Sequence, residues 1–158
     1  QMISILSPEE FITKPSDGGW SVSQVINHII ISETGTNAYV NKKLLGLANI
    51  PKAGMSNQLK SKALKVALKS PKKFKAPPVL PDPENKSMEE TMKKWGELRT
   101  KLLKTFESLP MEALDKEMFR HPVAGYFTPE QTLHFLCDHI KHHQPQINRI
   151  ITTIRHEN

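Results

Sequence analysis

TPEQTLHFLCDHIKHHQPQINRIITTI, residues 128–154, reads as one long helix that carries imidazoles. Thr128 and Gln131 form a capping box, and Pro129 suits the first helical position, where a missing N–H is no loss. Leu133, Leu136, Ile140, Ile147, Ile150, Ile151 and Ile154 then share one stripe. At about 100° per residue, His143 lies inside that stripe and His139 on its flank, one turn apart. The i, i+4 spacing is the one from which two rings on a helix reach a common point. By itself the pair leaves chelation and local satisfaction both open. Pro145 removes a backbone hydrogen bond and crowds the carbonyl of Lys141, which predicts a kink just after His143.

Upstream, the helical period repeats three times. Ser21 and Gln24 box the start of a helix that carries Val22, Val25, Ile26, Ile29, Val40 and Leu44 on one face and ends near Gly46. Residues 57–69 alternate Leu59, Ala63, Leu64, Ala67 and Leu68 with lysines, a shorter amphipathic helix with its basic face outward. Ser87 and Glu90 box a helix through Met88, Met92, Trp95, Leu98, Leu102, Leu103 and Phe106, closed by Leu109-Pro110. Ser7-Pro8-Glu9-Glu10 opens one or two turns through Phe11 and Ile12, and a loop spans His121 to Phe127. Between Ser70 and Lys86, five prolines exclude both a helix and a central strand, so this stretch is read as an ordered crossover lying over the bundle. The expected fold is all-α: a four-helix bundle in one domain over 1–158, with a short N-terminal helix and a long Pro-rich crossover that allows a non-meander order.

The charge is uneven. Ten lysines and no Asp or Glu stand between Thr34 and Pro81, whereas the rest of the chain is acidic by four charges. Such a stretch attracts polyanions or anionic small molecules, or is simply a solvated face. It holds no arginine and only Tyr39 and Phe74 as aromatics, so it has little with which to read or stack on nucleic-acid bases. The lone Cys137 forms no internal disulfide, which points to a reducing, cytoplasmic setting. No run of about 18 apolar residues and no signal pattern marks a membrane or secreted protein.

A third histidine, His28, sits on the flank of the first long stripe as His139 does on the last, so two adjacent helices can close a site inside the bundle. Trp20-Ser21-Val22-Ser23-Gln24-Val25-Ile26-Asn27-His28-Ile29, His121-Pro122 with Gly125 and Thr128, and His139 through His143 with Gln146-Ile147 together resemble the DinB/YfiT-like family of metal-dependent enzymes. The resemblance spans nearly the whole chain. It implies a four-helix bundle that binds a divalent metal, nickel or zinc and less commonly manganese, through His28, His139 and His143. Some members of that family are thiol S-transferases using low-molecular-weight thiols, one branch isomerises maleylpyruvate, and many have no known reaction. Three imidazoles leave a coordination position open, as a catalytic rather than a structural site requires. The best expectation is therefore transfer of a thiol to an electrophilic small molecule, with metal-assisted hydrolysis as the variant. The rivals are a bundle that keeps the metal for stability or has lost it, and a polyanion-binding protein. Pairing of exposed helix faces into a homodimer is a further expectation.

Glu33 points near the centre of the first long stripe, where an unpaired carboxylate is costly. It either hydrogen-bonds a metal-bound histidine or water, with a general-base role, or bends out and pairs with a lysine or arginine. His134 and His142 are read as surface residues, His156 as part of a frayed tail, and Cys137 as neither ligand nor nucleophile. His121 caps a turn or approaches the pocket.

Overall fold

Ser7 accepts a hydrogen bond from the Glu10 N–H, and the Glu10 carboxylate accepts one from the Ser7 N–H, which starts α1 (Pro8–Ile12). The same reciprocal pairing by Ser21 and Gln24 starts α2 (Val22–Leu44), and by Thr128 and Gln131 it starts α5 (Pro129–Glu157). Each box satisfies two of the N–H groups that a helix start leaves open. At α4 (Met88–Glu107) half of the expected box forms. Ser87 Oγ accepts from the Glu90 N–H, but the Glu90 carboxylate turns to Lys86 Nζ, 2.5 Å away. In α3 (Met55–Leu68) the cap comes from Asn57, whose Oδ1 accepts from the Gly54 N–H. The computed structural model of the chain describes residues 5–70 and 81–157, so Pro71, Phe74, Pro77 and Pro78 of the stretch discussed above lie outside the described residues.

The architecture is all-α, with one small hairpin among the described residues. α2 packs against both α4 and α5, and α3 packs against α5. Between α2 and α4, hydrogen bonds join Asn27 to Thr91, Glu33 to Trp95 and Arg99, and Asn41 to Thr105, at sequence separations of 64, 62, 66 and 64. A near-constant offset means that the two helices run parallel, an order that needs a long return connection. The described end of the crossover does lie over the bundle. Ser23 Oγ donates to the Lys86 carbonyl at 2.6 Å and accepts from the Lys86 N–H at 2.9 Å, and Gln24 Nε2 donates to the Pro83 carbonyl at 3.1 Å. Ser21 Oγ donates to Asn85 Oδ1 at 2.7 Å.

The core gathers Val22, Val25, Ile26, Ile30 and Val40 from α2, Leu98 and Leu102 from α4, and Phe135, Leu136, Ile147, Ile150 and Ile154 from α5. Five apolar side chains expected inside are exposed: Leu59, Ala63, Met92, Leu103 and Leu133. On α5 the buried stripe begins Thr132, Phe135, Leu136, and Leu133 falls one step round the helix from it. On α4 it runs Thr91, Leu98, Leu102, Thr105, which turns Met92 and Leu103 outward. α3 meets its neighbours along one edge, half-burying Leu64 and Leu68 and leaving Leu59 in solvent. α5 stays helical through Pro145.

The segment read as a loop between α4 and α5 contains the hairpin. β1 (Phe119–His121) pairs antiparallel with β2 (Gly125–Phe127), Phe119 opposite Phe127 and His121 opposite Gly125. Gly125 turns the chain back at φ +81°, a conformation that an L side chain resists. Asn57 anchors the hairpin by donating to the Tyr126 carbonyl at 2.9 Å and to Glu117 Oε1 at 2.8 Å. Among the described residues no helix is long and apolar enough to cross a membrane.

Candidate metal centre

His28 on α2 and His139 and His143 on α5 meet where the two helices pack, with one ring nitrogen of each inside a group no wider than 4.8 Å. His139 Nε2 and His143 Nε2 face each other at 3.1 Å. A tetrahedral ion with metal–nitrogen bonds of about 2.0–2.1 Å holds its nitrogens about 3.3 Å apart, so this pair is already at chelating separation. Among the described residues no other three His, Cys, Asp or Glu side chains are so grouped.

The chain's own residues orient the rings. His143 Nδ1 donates to Gln146 Oε1 at 2.8 Å, which leaves the lone pair on Nε2 and aims it into the group, as the hydrogen-bond partner of a ligating histidine does. Trp20 packs on His28 with ring centroids 5.4 Å apart, and Phe135 stacks on His139 at 5.5 Å. His139 Nδ1 is buried and has no partner among the described residues. Burial, with the mutual repulsion of the cluster, pushes His28 down to about 4, holds His139 well below the ordinary imidazole value and lowers His143. All three are therefore neutral at pH 7, the protonation state that ligation requires. Three neutral nitrogens form a set that suits zinc or nickel; manganese prefers oxygen.

Glu33 lies elsewhere. Its carboxylate is almost wholly buried, yet it accepts from Arg99 NH2 at 2.7 Å and from Trp95 Nε1 at 3.0 Å, both on α4. Of the two alternatives for Glu33, pairing with an arginine is the one present. Burial pushes its carboxyl up, against the pull of Arg99 and Trp95. His121 also resolves: its Nδ1 accepts from the Val123 and Ala124 N–H groups, so it caps the hairpin turn. His134 is exposed beside Glu130, His156 is exposed, and Cys137 is exposed and outside the cluster. His142 is the correction among the histidines. Rather than facing solvent it is half-buried, its Nδ1 donating to the Leu68 carbonyl at the end of α3 at 2.6 Å. Gln146 had its signal in the sequence, i+3 from His143 on the same helix, whereas the partner of His142 depends on how α3 and α5 dock.

Lowered histidines bear on stability as well. Burial alone pushes His121 down to about 4, like His28. The unfolded chain takes up protons from about pH 6.5 downward that the folded chain refuses until nearer 4, so stability is full above 6.5 and is lost as pH falls toward 4. Metal-free protein is expected to lose roughly 1–2 kcal/mol per histidine between pH 7 and pH 5, read from the urea midpoint. An unchanged midpoint would contradict the buried, neutral rings.

A cavity of about 590 Å³ opens in front of the cluster, with His28, His143 and Trp20 in its wall. The centre thus has three nitrogen donors on one side and room for a small molecule on the other. No curated protein and no solved structure matches the chain. A sequence model of the DinB superfamily does match, over residues 1–147, a span that takes in α1 and all three clustered histidines, and the chain belongs to that superfamily.

Proposed function

We propose that the protein is a metal-dependent enzyme that transfers a low-molecular-weight thiol to an electrophilic small molecule. The observation that carries this reading is the convergence of three neutral histidine nitrogens, with no carboxylate or thiolate among them, beside a cavity that His28 and His143 line. His28, His139 and His143 would hold a divalent ion, zinc or nickel by the donor set. Bound there, such an ion supplies Lewis acidity that lowers the pKa of a thiol or water at its open position. The chain does the rest: Gln146 fixes the His143 tautomer, Trp20 and Phe135 hold two rings in place, and the cavity admits the reactants.

Metal-assisted hydrolysis is the second reading. Asp138 favours it, being a carboxylate in the wall of the same cavity that makes no hydrogen bond or ion pair among the described residues and so is free to accept a proton. The test pairs the zinc- or nickel-loaded protein with 1-chloro-2,4-dinitrobenzene and a panel of small thiols, and separately with p-nitrophenyl acetate. Thioether formation proportional to metal content is expected. Ester cleavage without thioether would select hydrolysis, and neither product from fully loaded protein would remove both readings.

A further inference from the structure

Of the chain's four arginines, Arg99 and Arg155 are bonded to carboxylates and Arg120 lies over the ring of Tyr126. Arg149 has no such partner among the described residues, and it lines the cavity in front of the histidines. Lys141 on the same helix and Lys69 just beyond the end of α3 line it too, likewise exposed and unpaired. Two carboxylates stand against these three cations, and one of them, Asp17, already accepts from the Gly19 N–H at 2.8 Å. The cavity is therefore positive before any ion enters it. Because the histidines bring no negative charge, a divalent ion there would add two more positive charges.

Position on α5 gives this charge a length scale. Arg149 follows His143 by six residues, about 9 Å along the helix axis. It follows His142 by seven residues, two turns, so it shares the cavity-facing side of the helix. A guanidinium offers the planar fork that matches a carboxylate.

We infer that the thiol this site takes is an anion, a small molecule that carries a carboxylate roughly 8–9 Å from its sulfur, with Arg149 as the carboxylate's partner and Lys141 and Lys69 reinforcing the field. The inference rests on the thiol-transfer reading and adds the substrate class. Lys69 and Lys141 set the sign of the cavity; Arg149 gives the direct contact.

Two thiols of equal length separate the inference from the reading beneath it. 6-Mercaptohexanoate and 6-mercaptohexanol are titrated into the cobalt-loaded protein, and binding is followed by the near-ultraviolet sulfur-to-cobalt band at low ionic strength. The carboxylate is expected to bind about tenfold or more tightly, the size of one charge-assisted hydrogen bond. Arg149→Gln should erase most of that advantage and leave the alcohol's affinity unchanged, while Lys101→Gln, a surface cation of α4 outside the cavity, should do neither. Equal binding of the two thiols by the wild type, or an advantage that survives Arg149→Gln, overturns the inference and leaves thiol transfer standing. No sulfur-to-cobalt band with either thiol removes thiol transfer and the inference together.

Discussion

Alanine at His28, His139 or His143 is expected to lower the affinity for zinc or cobalt by more than about 100-fold. Loss of an outer hydrogen-bond partner of a ligand already costs about 10–100-fold, and a lost donor nitrogen costs more. Gln146→Ala should therefore fall inside that smaller range, since it frees the His143 ring without removing it. The three ligand substitutions should be strongly non-additive: once one nitrogen is gone the ion is no longer held, and a second removal has little left to take away. His134→Ala and His156→Ala, both exposed, should titrate like the wild type. Proton competition has a stated sign here. With His28 held at about 4, His139 well below its ordinary value and His143 lowered, protons compete for the ligand nitrogens only at lower pH than at exposed imidazoles, so retention should persist below pH 6.5 and be lost as pH falls toward 4. Full occupancy in His28→Ala, together with loss in His134→Ala, would falsify the centre.

The second large effect lies away from the histidines. Arg99→Met should destabilise the fold by about 3 kcal/mol at pH 7, because it strands a buried carboxylate whose other partner is the Trp95 N–H alone. The figure sits at the low end for breaking a buried pair, since the Arg99 side chain is 42% exposed and water softens the interaction. The pH signature separates this from a packing defect. Without Arg99 the Glu33 carboxyl rises further, so the variant's deficit relative to the wild type should shrink as pH falls from 7 to 5, as Glu33 takes up a proton in the folded state, while both proteins share the loss from the histidines. Glu33→Leu in the Arg99→Met background should recover most of the loss, because an apolar replacement removes the stranded charge. Urea unfolding of the wild type and the two variants at both pH values is the measurement. Wild-type stability in Arg99→Met would mean that the pair contributes nothing.

Much of this was legible because it is local. The boxes at Ser7, Ser21 and Thr128 need only four residues of sequence, and each forms. The His139–His143 spacing fixes its own geometry on any helix, and His28 follows once two apolar stripes are brought face to face. What stayed hidden depends on partners distant in sequence. The hairpin is short and is held from outside by Asn57, which no pattern within residues 119–127 announces. Glu33 was readable as a buried carboxylate, but its pairing with Arg99 rather than with the histidines required knowing that α2 lies against α4 in that register. Leu133 looked buried for the opposite reason: periodicity gives a stripe's angle only to within a residue, and α5 meets the hairpin through Phe135, with Thr132 rather than Leu133 buried beside it.

The constant offset between α2 and α4 has a consequence for folding fidelity. An apolar seam between two parallel helices tolerates a slip of one turn, about 5.4 Å, with modest loss, because leucine meets leucine again. Here Asn27, Glu33 and Asn41 act as teeth whose sockets, Thr91, Trp95 with Arg99, and Thr105, recur at one alignment. A slipped pairing would unseat all three at once and leave the buried Glu33 carboxylate and the buried Asn27 amide without partners. The helices are thus ratcheted: misaligned docking is expelled rather than trapped, and the height of His28 on the bundle, one residue from the first tooth, is set by a lock on the opposite side of α2.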